Sequence, residues 1–306
     1  MGDSFDFTGE DSFFGEKSWE KAESTLLSQV FTLALNKAGL GPSDVRYVFA
    51  GDLLNQCIGS VFALRSTEIP FFGLYGACST MAESLSLAAM TVSAGFAPVA
   101  AAATSSHFCS AERQFRMPLE YGGQRTPTAQ WTVTGAGAAI LSAEGQGPYI
   151  THVTPGRIVD CGIKDFNNMG AAMAPAAYDT LSAHFSDLKR SPNDYDIIVT
   201  GDLGSIGASI LRDLFSSDGI SLGERYRDCG MLIFDPETQD THAGGSGCGC
   251  SASVLCGELL NGMRGGKWRR LLFAATGALM SPTSSMQGES IPSVCCAVSI
   301  STSKQE

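Results

Sequence analysis

Trp19, Ala22, Leu26, Val30 and Leu33 recur every three or four residues, which predicts a helix between Ser18, a candidate N-cap, and Gly39, a candidate stop. Short apolar runs at Val45–Ala50 and Ile69–Leu74 predict strands, with a short helix over Gln56–Arg65 between them. A helix running to about Gly95 and a strand at Val99–Thr104 follow. The polar stretch Ser105–Gln130 interrupts the alternation, and Trp131–Leu141 and Tyr149–Val153 are expected to close this half. The pattern then repeats: a helix over Met169–Leu188, interrupted near Pro175, then strands at Tyr195–Thr200, Leu271–Thr276 and Val294–Ile300 and a helix over Val254–Met263. Strands alternating with helices predict an α/β fold with mostly parallel sheets.

The repeat is an internal duplication. Cys78 and Cys250 are 172 residues apart, as are Thr104 and Thr276. Gly51-Asp52-Leu53 and Gly201-Asp202-Leu203 are 150 apart, so an insertion is expected within Ser216–Thr241. Two β/α halves, residues 1–155 and 156–306, should be related by a pseudo-twofold axis, with helices between and outside their sheets.

Composition narrows the classes of function. Apolar residues make up 44% of the chain and charged ones 17%, enough for a large core. A net charge of −11 argues against a nucleic-acid surface. The densest basic run, Lys267-Trp268-Arg269-Arg270, reads as a solvated turn. Residues 1–17 are polar and loosely ordered, without signal-peptide character, and no apolar run has membrane-spanning length. The ten cysteines should therefore be reduced thiols in an intracellular compartment, and their spacing fits no tetrahedral metal site.

The chemistry gathers at Cys78, on a strand-to-helix turn eased by Gly73 and Gly76. A thiol at a helix N-terminus should have a lowered pKa, and the same turn can hold an anion. His107 and His242 are the two histidines placed to reach Cys78. His152 is read as structural and His184 as solvated. Cys248 is a candidate to face the pocket, whereas Cys250 reads as a small apolar residue. In Glu112-Arg113-Gln114-Phe115-Arg116, Arg113 and Arg116 share a helical face. Two readings stand side by side: the arginines clamp a dicarboxylate, or they pair with Glu112 or Glu120 and shape the loop.

Several strings carry a family likeness: Ala50-Gly51-Asp52-Leu53-Leu54-Asn55-Gln56, Tyr75-Gly76-Ala77-Cys78-Ser79-Thr80, Ala111-Glu112-Arg113-Gln114-Phe115-Arg116, Ala243-Gly244-Gly245-Ser246-Gly247-Cys248 and Ala275-Thr276-Gly277-Ala278. From about Trp19 onward the chain resembles the thiolase and ketoacyl-synthase superfamily, and within it the stage V sporulation protein AD family. The resemblance implies a thiolase-like fold, a homodimer and no cofactor. It also implies binding of dipicolinic acid, pyridine-2,6-dicarboxylate, free or as its calcium chelate. Such proteins work with other subunits of a spore inner-membrane complex that loads the ligand into developing spores, which would make this chain a peripheral protein there. Tyr75, Cys78, His107, Glu112, Arg113, Arg116, Cys248 and Thr276 are then the candidate ligand-binding residues, with Tyr75 or Phe115 against the ring.

Two departures from the superfamily matter. Its Gly-His-Pro segment is replaced by Gly247-Cys248-Gly249, and no glycine run follows Cys295-Cys296. Cys78 therefore lacks an acid–base partner, which favours a non-catalytic binding protein. Family members also begin with a further strand, so one sheet is expected to lack an edge strand. Two alternatives remain: an acyl-transferring enzyme with Cys78 as nucleophile, and a purely structural subunit of the complex.

Overall fold

The computed structural model describes residues 1–115 and 125–304. Helix α1 (Trp19–Ala38) buries Ala22, Leu26, Leu27, Phe31 and Leu35 on one stripe, together with the carboxyl of Glu23. It stops at Gly39, whose left-handed φ of +68° lets its N–H close on the last carbonyls. Ser18 holds the N-cap position but makes no side-chain cap bond.

The first half continues with β1 (Tyr47–Gly51), α2 (Ile58–Leu64), β2 (Phe71–Gly73), α3 (Thr80–Ser93), β3 (Val99–Ser106), α4 (Phe108–Phe115), β4 (Trp131–Thr132) and β5 (Gly135–Ser142). The second comprises β6 (Tyr149–Pro155), α5 (Met169–Leu188), β7 (Ile197–Gly201), α6 (Gly204–Ser217), β8 (Tyr226–Asp228), α7 (Cys229–Leu232), β9 (Gly245–Ser246) and α8 (Cys248–Val254). A π turn, Leu255–Leu259, leads into α9 (Leu260–Arg264), followed by β10 (Arg270–Ala278), α10 (Pro282–Met286) and β11 (Ser293–Ser301).

The sheets run β2-β1-β3-β5 and β6-β11-β10-β7-β8, so β1, β2, β3 and β5 match β7, β8, β10 and β11. Most pairings are parallel, with exceptions on one side of each sheet: β5 runs antiparallel to β3, and β11 runs antiparallel to both β10 and β6. The segment expected to close the first half at Tyr149 instead crosses to the second sheet as β6. The first sheet accordingly has four strands and the second five. Most of the predicted insertion lies after β8, in α7 and the loop before β9.

Helix α5 runs unbroken through Pro175. The ring removes one backbone donor, but Ala172, Met173, Ala176 and Ala177 around it are buried against the second sheet, which outweighs the loss. His184, on the same helix, is buried rather than solvated. Its Nε2 lies 2.6 Å from Tyr195 Oη and its Nδ1 2.7 Å from Thr154 Oγ1.

Strand alternation sorts the core into layers. Phe49, Ala100, Ala102, Leu271, Phe273 and Ala275 face inward onto α3 and α8, which lie between the sheets. Val48, Ala50, Ala101 and Ala103 face outward onto α1, and Ile198, Leu272 and Ala274 onto α5 and α6. Burying an aliphatic or aromatic side chain contributes about 1.5–3 kcal/mol, so this middle layer is where the halves are joined.

Candidate active site at the Cys78 turn

The N-terminal ends of α3 and α8 meet between the sheets, and each carries a cysteine there. Ala77–Ser79 forms a 3-10 turn ahead of α3, with a positive φ of +52° at Ala77. This strain falls on Ala77 and not on Gly76, whose φ is −90°. Gly76 is needed for space: a Cβ there would stand 2.4 Å from Glu83 Oε2. A Cβ on Gly277 would stand 2.2 Å from the Gly76 carbonyl oxygen. The turn thus rests directly on the end of β10.

Cys78 is 7% exposed and packs with Leu53, Ala111 and Cys248, and Phe115 lies against the cluster. Helix α4 therefore covers the thiol. The expected fall in its pKa is not what the site produces: burial first, then the neighbouring Asp202 carboxyl, push the Cys78 thiol well up. Asp202 follows β7. Its Oδ2 accepts the Gly247 N–H at 2.8 Å, while its Oδ1 is buried without a partner of good hydrogen-bond geometry. Burial pushes this carboxyl well up too, which favours its protonated form.

Cys248 is fully buried and donates to the Ser105 carbonyl at 3.0 Å. Thr276 donates to the Gly201 carbonyl at 2.6 Å, pinning β10 to β7, so its hydroxyl is already used within the sheet. His107 is satisfied at both nitrogens. Nδ1 accepts the Cys109 N–H at 3.2 Å, which leaves Nε2–H to donate to the Ser12 carbonyl at 2.8 Å. Burial lowers its pKa. His242 lies 3.7 Å from Asp240 Oδ1. Neither histidine is hydrogen-bonded to Cys78.

Arg113 pairs with Glu20 on α1 and lies 5.2 Å from the Trp19 ring. The residues of α4 that turn toward Cys78 are Ala111 and Phe115 instead. Glu112 is buried and accepts from Arg125 at 3.2 Å and Thr132 at 3.3 Å. Arg116 and Glu120 lie outside the described residues. Tyr75 is about half exposed at the rim, where its hydroxyl lies 3.2 Å from Gln114 Nε2. Gln114 also donates to the Leu53 carbonyl at 2.9 Å and accepts the Asn55 N–H at 2.9 Å, which fastens α4 to the loop after β1.

Several groups at the site escaped the sequence reading: Asp202, Gln114, Arg125 and the buried pair Glu23 and Asp52. Two had a signal. The repeated Gly-Asp-Leu places an acid at the same point of each half, and Glu23 interrupts the apolar stripe of α1. A cavity of about 1540 Å³ lies elsewhere, along the free side of β5 beneath α1. A smaller one of about 440 Å³ is lined by Tyr75, Gly76, Ser79 and Glu83 at the seam of the halves. Cys78 lines neither. Among the described residues no helix is long and apolar enough to cross a membrane.

Two mixed sheets enclosing two helices, with a cysteine at the head of the first, define a thiolase-like fold. Solved structures agree. The chain superposes with a TM-score of 0.60 on 3-oxoacyl-[acyl-carrier-protein] synthase III from Aquifex aeolicus, at 12% identity over 96% of this chain and 86% of that one. It matches OleA of Xanthomonas campestris at 0.59, with 13% identity over 91% and 80% of the two chains. The chain belongs to the stage V sporulation protein AD family, whose profile matches residues 1–301. It is 46% identical to stage V sporulation protein AD of Bacillus subtilis over 294 residues, 96% of this chain and 87% of that protein.

Proposed function

We propose that this sporulation protein binds dipicolinate without catalysing a reaction on it, and that it serves, with other subunits of a spore inner-membrane complex, to load dipicolinate into developing spores as a peripheral protein. The observation that carries the non-catalytic part is the state of Cys78. The thiol keeps the position of a nucleophile at a helix head, but it is held neutral beside a buried acid, and His107 and His242 are engaged elsewhere. An acyl-transfer nucleophile needs a base within hydrogen-bond reach. The ligand part rests on family membership and on Asp202. A protonated Asp202 carboxyl, which also faces the Cys78 thiol, can donate to a carboxylate, while the ionised form would favour a calcium chelate.

Calorimetric titration with dipicolinate, with and without calcium, tests the reading. Saturable heat that weakens in Asp202→Ala and Cys78→Ala is expected. No heat at millimolar ligand sinks the ligand assignment and leaves the structural-subunit alternative. Turnover of an acyl-CoA that is lost in Cys78→Ala overturns the non-catalytic one.

A homodimer is part of the same proposal. Strand β2 is an edge strand, and Phe71, Phe72 and Tyr75 on it and just after it are exposed, as are Met90 and Phe96 at the end of α3. Exposed apolar side chains on and beside an edge strand fit contact with a second copy of the chain. A monomer in light scattering at micromolar concentration contradicts it, and Phe72→Asp is expected to split the dimer.

A further inference from the structure

Gln130 ends the long polar stretch and stands at the entry to β4, where it is 2% exposed. Its side-chain amide has two N–H donors, and both are used. Nε2 lies 2.6 Å from the Asp202 carbonyl oxygen and 2.9 Å from the Gly245 carbonyl oxygen. Those partners are 72 and 115 residues away along the chain. The first carries the acid that faces Cys78, and the second belongs to the glycine loop that leads into Cys248.

The orientation of this amide is forced. Turned over, Oε1 would meet two carbonyl oxygens, which can only accept. As it stands, Oε1 is buried without a partner, which costs free energy. A Leu or Met of similar size would avoid that cost. What glutamine adds is the pair of donors. Gly204 makes room for them: a Cβ there would stand 3.0 Å from Nε2.

The main chain around Gln130 is firmly seated. The Ala243 N–H donates to the Ala129 carbonyl at 3.0 Å and the Trp131 N–H to the Gly244 carbonyl at 2.8 Å. The Gln130 carbonyl accepts from Arg125, which also donates to Glu112 on α4. Asp202, by contrast, has a left-handed φ of +48°, uncommon for a residue with a Cβ. Such a conformation persists only where neighbours hold it. Gln130 grips its carbonyl, and the Gly247 N–H grips its carboxyl at 2.8 Å.

We infer that Gln130 is a positioning residue, which joins the Asp202 and Gly245 carbonyls and so sets where the Asp202 carboxyl stands against the Cys78 thiol. Without this clamp, Asp202 can relax from its left-handed turn and carry the carboxyl away from the sulfur. The clamp deepens the binding reading, in which Asp202 meets the ligand, and only that consequence rests on it.

The test is iodoacetamide labelling of Cys78 in the whole chain at pH 8.5, without ligand, followed peptide by peptide in mass spectrometry. Burial and then the Asp202 carboxyl keep this thiol protonated, so moving the carboxyl away should speed labelling. Gln130→Ala should raise the Cys78 rate at least about fivefold, the effect of somewhat less than one pKa unit. Cys57 and Cys256, whose surroundings do not include Asp202, should keep their rates. Gln130→Asn keeps the amide but is one methylene short of spanning both carbonyls. It should give a smaller rise, and it carries the test if Gln130→Ala does not fold. Asp202→Asn should raise the Cys78 rate by itself, and adding Gln130→Ala to it should change nothing further. General loosening of the fold would instead add to Asp202→Asn, or speed Cys57 and Cys256 equally. Either result overturns the clamp, as does a Cys78 rate within about twofold of wild type in both Gln130 variants. No dipicolinate is present, so failure of the ligand titration and failure of the clamp are separate results.

Discussion

Each half of the molecule sets an aspartate just after its first central strand, and the two have opposite surroundings. Asp52 accepts three hydrogen bonds from Leu54 and Ser60 and faces a second acid, Glu23. Asp202 accepts the Gly247 N–H, is close enough to the Cys78 thiol to share a hydrogen bond with it, and has Asp228 as its nearby acid. The cysteines diverge in the same way. Cys78 retains a small exposure beneath α4, while its counterpart Cys250 is wholly enclosed in the middle layer. Duplication copied the backbone, and the halves then divided the work. The acid of the first half holds loops together, and the acid of the second half faces the thiol of the first.

The contrast breaks most severely at the backbone contacts both halves need. Gly277→Ala would drive a Cβ to 2.2 Å from the Gly76 oxygen, and Gly249→Ala would do the same against the Gly135 oxygen. Each should cost about 3 kcal/mol or prevent folding, as read by urea denaturation. If the aspartates differ as described, Asp52→Asn should cost about 2 kcal/mol because its amide would meet N–H donors. Asp202→Asn should cost less than about 1 kcal/mol while still weakening ligand binding. Equal losses in the two variants would erase the distinction.

Protons give a third test. Glu23 titrates near 8 in the folded chain, above the ordinary carboxylate range it has when unfolded. Between those values the unfolded chain gives up a proton that the folded chain keeps, so stability should fall as pH rises from about 5 to about 8. Asp228, pushed up to about 6 by burial, adds to the lower part of that slope. Denaturation midpoints in that range should show the decline, and Glu23→Gln should flatten it. The smallest effect concerns thiol reactivity. Iodoacetamide at pH 7.5 should label exposed Cys161 at least about tenfold faster than Cys78, with mass spectrometry of the digest as readout. Faster labelling of Cys78 would restore the case for a nucleophile.

Much of this was legible in the chain. Unbroken apolar runs at Val48-Phe49-Ala50 and Leu271-Leu272-Phe273 mark strands covered on both faces, and the repeated Cys and Gly-Asp-Leu positions mark the duplication. Strand direction was not legible, because the local pattern of β5 or β11 is the same whichever way its neighbour runs. Nor was the crossing of β6, which depends on which edge is vacant. The fate of Cys78 was misjudged because a helix head lowers a thiol pKa only when burial and a facing acid do not oppose it. Of the two readings of Arg113, a ligand clamp or an ion pair that shapes the loop, the structure shows an ion pair, made to Glu20 on α1 and not to Glu112. Glu23 and Asp52 are 29 positions apart, and only tertiary packing reveals that they meet.

The middle layer has a consequence for synthesis. Helices α3 and α8 bury their faces against one another and against both sheets. A ribosome that has released only the first half therefore presents α3 with half of its shelter missing. The nascent chain must wait, apolar surface exposed, until β10 and β11 emerge some 200 residues after α3. Closure of this layer waits on β11, and chaperone demand should be highest just before that strand clears the exit tunnel.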